Sequence, residues 1–138
     1  MPADSRQRVR FLDHRGLRVV LLDFEGITDP AVGLAAVAEA KAFTARLRPD
    51  GSSCTLTDVR STRYNKRIVE AFKDLTVHNR PYMGAGAVIS DSSVHRAAIA
   101  MIAVFSRRKL GVFATREEGL AYLEAEMKRH LAVPSSRE

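Results

Sequence analysis

The run Cys54-Thr55-Leu56-Thr57-Asp58-Val59, followed by Arg60-Ser61-Thr62-Arg63-Tyr64 and then by Asn65-Lys66-Arg67-Ile68, decides the fold. Its first six residues alternate at period two, the pattern of a strand that faces its apolar positions inward. Asn65 is a preferred helix cap, and Ile68, Phe72 and Leu75 recur behind it at helical spacing. A helix is therefore expected from Asn65 to near Asn79-Arg80-Pro81, and the whole segment reads as one strand-turn-helix unit.

The same unit recurs on both sides. Downstream, Met83 to Ile89 is a small apolar strand, and Ser90-Asp91-Ser92-Ser93 supplies a cap for a third helix. That helix carries a wide apolar face of Val94, Ala97, Ala98, Met101, Ile102 and Phe105, and is expected to end near Arg107-Arg108-Lys109, where positive charge suits the terminus. Leu110 and Val112 mark a fifth strand with Phe113 at its end. Thr115-Arg116-Glu117-Glu118 then forms a capping box, and Leu120, Leu123 and Met127 give the last helix its inner face.

Upstream, Val9 and Phe11 alternate with Arg8 and Arg10 before a turn at His14-Arg15-Gly16, and Leu17 to Leu22 follows as a nearly continuous apolar run. Asp29-Pro30 starts the first helix, whose stripe of Val32, Ala36, Ala40, Phe43 and Leu47 ends at Pro49-Asp50-Gly51. The order is β-β-α-β-α-β-α-β-α, and strands separated by single helices join one sheet through right-handed crossovers. The expected fold is α/β, a mixed, mostly parallel five-stranded sheet with about four helices. One domain spans 1–138, with an ordered core over 8–130 and a flexible tail at 131–138.

Composition narrows the function classes. The 138 residues are 46% hydrophobic, enough for a real core, and no apolar run approaches the roughly 18 residues of a membrane span. With a polar start lacking a secretory core, a soluble cytoplasmic protein is expected. The lone Cys54 sits in a strand and reads as a buried small hydrophobe. The net charge of +6 permits an acidic partner, although Arg6, Arg8, Arg10, Lys128, Arg129 and Arg137 place much of it on tails and helix ends as solvated surface.

No motif of catalysis or cofactor binding is present, and Gly84-Ala85-Gly86 leads into a strand rather than out of one, which points to close backbone packing. The four histidines, His14, His78, His95 and His130, are too scattered for a metal site, so no metal or cofactor is expected. Two polar turns remain. Arg60, Arg63, Lys66 and Arg67, with the amides of a helix start, suit an anion or an acidic partner. The competing account has Asp58 bonding loop amides, Tyr64 packing and the cations solvated. Asp91-Ser92-Ser93-Val94-His95 is the second turn, where capping alone also explains the Asp and Ser residues. The nine apolar residues from Ala97 to Phe105 exceed one face, which suggests a cavity or an interface at Met101, Ile102 and Phe105.

On Leu56 to Tyr64, Asn79-Arg80-Pro81-Tyr82 and Phe113 to Leu123, together with the order of elements, the chain resembles the STAS-like family from about Val9 to Glu126. This is the sulfate-transporter and anti-sigma-factor-antagonist fold, and the likeness is greatest to its SpoIIAA-like branch, related to lipid-binding Sec-type domains. The antagonists carry a phosphorylatable serine in Asp-Ser-Ser-Gly at the start of the second helix, where this chain has Asn65-Lys66-Arg67-Ile68. Ser61 and Thr62 precede that point, and Asp91-Ser92-Ser93 comes one crossover later. The resemblance implies a non-enzymatic regulatory or signalling module that binds a protein partner or small ligand. Its expected contact residues are Asp58, Arg60, Ser61, Thr62, Arg63, Tyr64, Ser92, Ser93 and His95. The alternative is a carrier or sensor of a small apolar or lipid-like ligand in a cavity beside the third helix. A homodimer stays open, and nucleic acid is disfavoured because no recognition motif accompanies the charge.

Overall fold

Strand β1 (Val9–His14) runs into β2 (Leu17–Asp23) through Arg15 and Gly16, both at positive φ, the two-residue turn whose twist matches paired antiparallel strands. The structure is a computed structural model that describes residues 7–132. Arg6, Arg137 and most of the expected flexible tail lie outside the described residues. After β2 come α1 (Pro30–Thr44), β3 (Ser53–Asp58), α2 (Lys66–Asn79), β4 (Met83–Ile89), α3 (Ser93–Ser106), β5 (Leu110–Phe113) and α4 (Arg116–Ala132). The strands lie in the order β1-β2-β3-β4-β5, parallel apart from β1, so the fold is the expected mixed α/β sheet. Among the described residues, no helix is long and apolar enough to cross a membrane.

Each helix starts where its cap stands. Asp29 accepts from the Ala31 amide at 3.0 Å, Asn65 from Ile68 at 2.8 Å and Ser92 from His95 at 3.2 Å. The capping box is reciprocal: the Glu118 amide donates to Thr115 Oγ1, and the Thr115 amide donates to Glu118 Oε1. Each such cap contributes about 1 kcal/mol.

Period two in the strands divides the core into two layers. Val19, Leu21, Cys54, Leu56, Ala87 and Ile89 face α4, where they meet Leu123 and Met127. Gly119 permits the approach, since a Cβ there would stand 2.7 Å from Ile89 Cδ1 and 2.8 Å from Leu56 Cδ1. Val20, Leu22 and Val88 face the other way, toward Ala36, Val37 and Ala40 of α1, Ile68 and Phe72 of α2, and Ile99 and Ile102 of α3. Burial of each large side chain contributes about 1.5 to 3 kcal/mol. Thr55 and Thr57, the alternate residues of β3, share this three-helix side.

Three expectations change. Helix α1 stops at Thr44 rather than continuing through Leu47, because the buried Thr44 hydroxyl has Asn79 Oδ1 at 2.9 Å as its nearest acceptor, with Ala40 O at 3.1 Å, while Ala45 to Leu47 tighten into turns. Its inner stripe is also rotated: Gly33, Val37 and Thr44 are buried and Val32 is exposed, since Gly33 lets Ile68 come close. Arg8 is buried rather than solvated, and its Nη1 donates to the carbonyls of Asp23 and Glu25 at 3.0 and 3.1 Å.

The apolar excess of α3 faces two ways. Ile99 and Ile102 are buried, whereas Met101 and Val104 are 74% and 80% exposed, so Met101 does not line an internal cavity. The side chains of Val94 and Phe105 lie outside the described residues.

Candidate functional site

Parallel strands deliver their carboxyl ends to one rim, and register pairs Asp23 with Asp58 and Asp58 with Ile89 there. Asp58 is fully buried and both its oxygens are occupied. Oδ1 accepts from the Arg60 amide and Nε, and Oδ2 accepts from Arg60 Nη2 and Arg116 Nε, each at 2.7 Å. Arg116, from the start of α4, also lies 3.4 Å from Asp23, and Glu25 completes the group at 3.7 and 3.8 Å from Arg60 and Arg116. Burial alone would push the Asp58 carboxyl up, but the bonds from Arg60 and Arg116 outweigh it and hold the carboxyl below its ordinary value. Asp23, Glu25 and Asp58 come close enough together to suit a cation, but the guanidiniums of Arg60 and Arg116 already pair with them. Asp58 and Arg60 thus lock the rim.

The two candidate turns converge. Ser61, at φ +57°, offers its amide to Asp91 Oδ1 at 3.4 Å, and the Tyr64 ring stacks on His95 at 3.6 Å and 11°. Thr62 is buried, its hydroxyl donating to Phe24 O, and Ser92 is spent on the α3 cap. Ser61, Arg63 and Ser93 are exposed, as are Lys66 and Arg67. Tyr64 OH and His95 Nδ1 are buried without a hydrogen-bond partner among the described residues. Burial, then the nearby Asp91 charge, push the Tyr64 phenol up, so it stays protonated.

Behind this rim, between the sheet and helices α2 and α3, lies a cavity of about 50 Å³. Its walls include Leu22, Val88, Ile99, Ile102 and Leu110, with Thr55 and Thr57 among them and Tyr64 and Phe72 contributing from the rim side. Ile102, expected at a cavity or an interface, is among the residues that line it.

The sequence reading missed Arg108, which also lines this cavity. Arg107 is left-handed at φ 58°, and the Arg107 and Arg108 amides donate to the carbonyls of Val104 and Ala103. The chain reverses there, and Arg108 turns inward instead of serving the helix end. Its Nη2 would stand 2.6 Å from a Cβ on Gly86, so the glycine makes room for the guanidinium. That nitrogen is buried without a partner among the described residues, and burial pushes the group down to about 10. Two signals pointed here: a small-residue strand at Gly84-Ala85-Gly86, and threonines on the second face of β3, which a parallel sheet must also cover.

Cys54 faces α4, away from the cavity, and burial pushes its thiol up to about 12. Native protein therefore reacts with a disulfide reagent at pH 8 only as fast as it unfolds, whereas protein in urea reacts at once. Rapid labelling of the folded chain would contradict this burial. Compared with models of known families and with curated proteins, the chain matches none.

Proposed function

We propose that the chain is a non-enzymatic, cytoplasmic ligand-sensing module of the STAS-like kind. A small ligand occupies the cavity beside α3, and the rim formed by the turns after β3 and β4 presents the outcome to a protein partner. The observation that carries this reading is the double position of Tyr64, which lines the cavity and stacks on His95 at the rim. A ligand that moves Tyr64 also moves the start of α3. Binding is favoured over catalysis because Asp58, the carboxylate that precedes Ser61 and Thr62, has both oxygens taken by guanidiniums, and Ser92 is spent on capping α3.

Amide spectra recorded during titration with a panel of small fragments test the coupling. Compounds that shift Thr55, Val88 and Ile102 are expected to shift Ser61 and Ser92 with the same midpoint. Cavity shifts without rim shifts would leave a carrier with no signalling surface, and no shifts in the cavity would remove the ligand site altogether.

A further inference from the structure

An arginine stays charged at neutral pH and offers five donors, so a buried guanidinium nitrogen without an acceptor carries an unrecovered desolvation cost. Arg108 is in that state, next to a residue held in the left-handed region, itself unfavourable for a side chain with a Cβ. The left-handed Arg107 serves the end of α3, but the Arg108 nitrogen finds no acceptor among the described residues. The sequence nevertheless opens space for the guanidinium, with glycine at position 86, between Thr55 of β3 and Leu110 of β5 in register. Arg108 Nη2 and Thr55 Oγ1 both crowd the point where a Gly86 Cβ would stand, at 2.6 and 3.1 Å. A cation and a hydroxyl thus converge on one spot of a mostly apolar wall, in which Thr57, Thr76 and Asn79 are the other short polar side chains.

Resting on the reading of this cavity as a ligand site, we propose that its ligand is a short monocarboxylate. The carboxylate sits on Arg108 and Thr55, and the apolar end packs against Val88, Ile99 and Ile102. Size and charge select this class. About 50 Å³ holds roughly three to four water-sized groups, which suits an acid of a few carbons and excludes a long chain. One guanidinium balances one negative charge, whereas a phosphate would bring a second charge that no other cation of the lining answers. Arg108 also belongs to a second, outer pocket of about 110 Å³, where Arg80, Arg107 and Lys109 join it. Lys109 is held only loosely, 3.8 Å from Glu126. This cationic surface raises the local concentration of anions beside Arg108.

The test measures melting temperature and calorimetric binding of the full chain with sodium propionate, propionamide, inorganic phosphate and sodium chloride at equal ionic strength. Propionate is expected to raise the melting temperature saturably and to bind about tenfold or more tightly than propionamide, the difference made by a charge-assisted bond. Arg108→Met should lose that preference while melting no lower unliganded, because it removes a half-buried cation whose Nη2 has no acceptor among the described residues. If Arg108→Met does not fold, Arg108→Lys serves instead, since it keeps a charge but loses the guanidinium fork and should weaken propionate more than propionamide. Equal binding of propionamide and propionate overturns the carboxylate and leaves the cavity reading standing. Tighter binding of phosphate, or a propionate response untouched by both variants, overturns it too. No binding by either propionate or propionamide removes the inference, while the cavity reading falls only if the fragment titration shows no shifts in the cavity either.

Discussion

Replacing Asp58 with alanine lowers folding stability by about 3 kcal/mol, measured by urea unfolding at pH 7. The side chain has no water contact and accepts four hydrogen bonds, three from Arg60 and one from Arg116. Removing it leaves two guanidiniums facing a void, and breaking a buried pair from one side costs about 3 to 5 kcal/mol. The lower end applies because Arg60 and Arg116 are 29% and 28% exposed and keep Glu25 near them. The pH dependence separates a charge effect from a packing effect. A carboxyl held below its ordinary value stabilises the fold fully above the unfolded value, about pH 4, and that contribution is lost as pH falls through the folded value. The gap between wild type and Asp58→Ala therefore narrows below about pH 4. A gap unchanged from pH 7 down to pH 2 would mean that Asp58 acts through shape alone.

The element order was legible because it depends on local chemistry. Asp29, Asn65, Ser92 and Thr115 each cap the helix they announce, and Met83 to Ile89 spans the strand that its small apolar residues suggest. The meeting of the two polar turns was legible too, since consecutive parallel strands put their exits on one edge. What each side chain does at that edge was not. Asp58 and Arg60 have the residue types of a binding loop, yet Arg116, 58 positions after Asp58, turns them into a lock. Pairings at such separation leave no periodic trace.

Arg108 stayed hidden for a related reason. A cation in the run Arg107-Arg108-Lys109 at a helix end is ordinarily solvent-facing, and the left-handed Arg107 that turns it inward is not a glycine. The face of α3 was open for a different reason, because an apolar run of nine residues has no unique face, and packing against α2 and the sheet buries Ile99 and Ile102 while leaving Met101 exposed.

The other large expected effect belongs to Phe24, just past β2 and outside every candidate set. Phe24→Ala is expected to cost about 3 to 5 kcal/mol in urea unfolding, the range for deleting a buried phenylalanine. Its ring is 1% exposed and stacks on Phe72 at 5.3 Å and 25°, while Phe72 meets Tyr64 edge-on at 5.6 Å. The backbone at the same residue ties the rim, its amide donating to Asp58 O and its carbonyl accepting from Thr62 Oγ1. Because alanine keeps those backbone bonds, the loss measures the ring alone. Phe72 and Tyr64 both line the cavity, so the void left by the ring adjoins it. Phe24→Leu, which refills most of that void, should therefore recover more than half of the lost stability. Equal losses for the two variants would show that the aromatic stack, rather than the volume it fills, supports Tyr64.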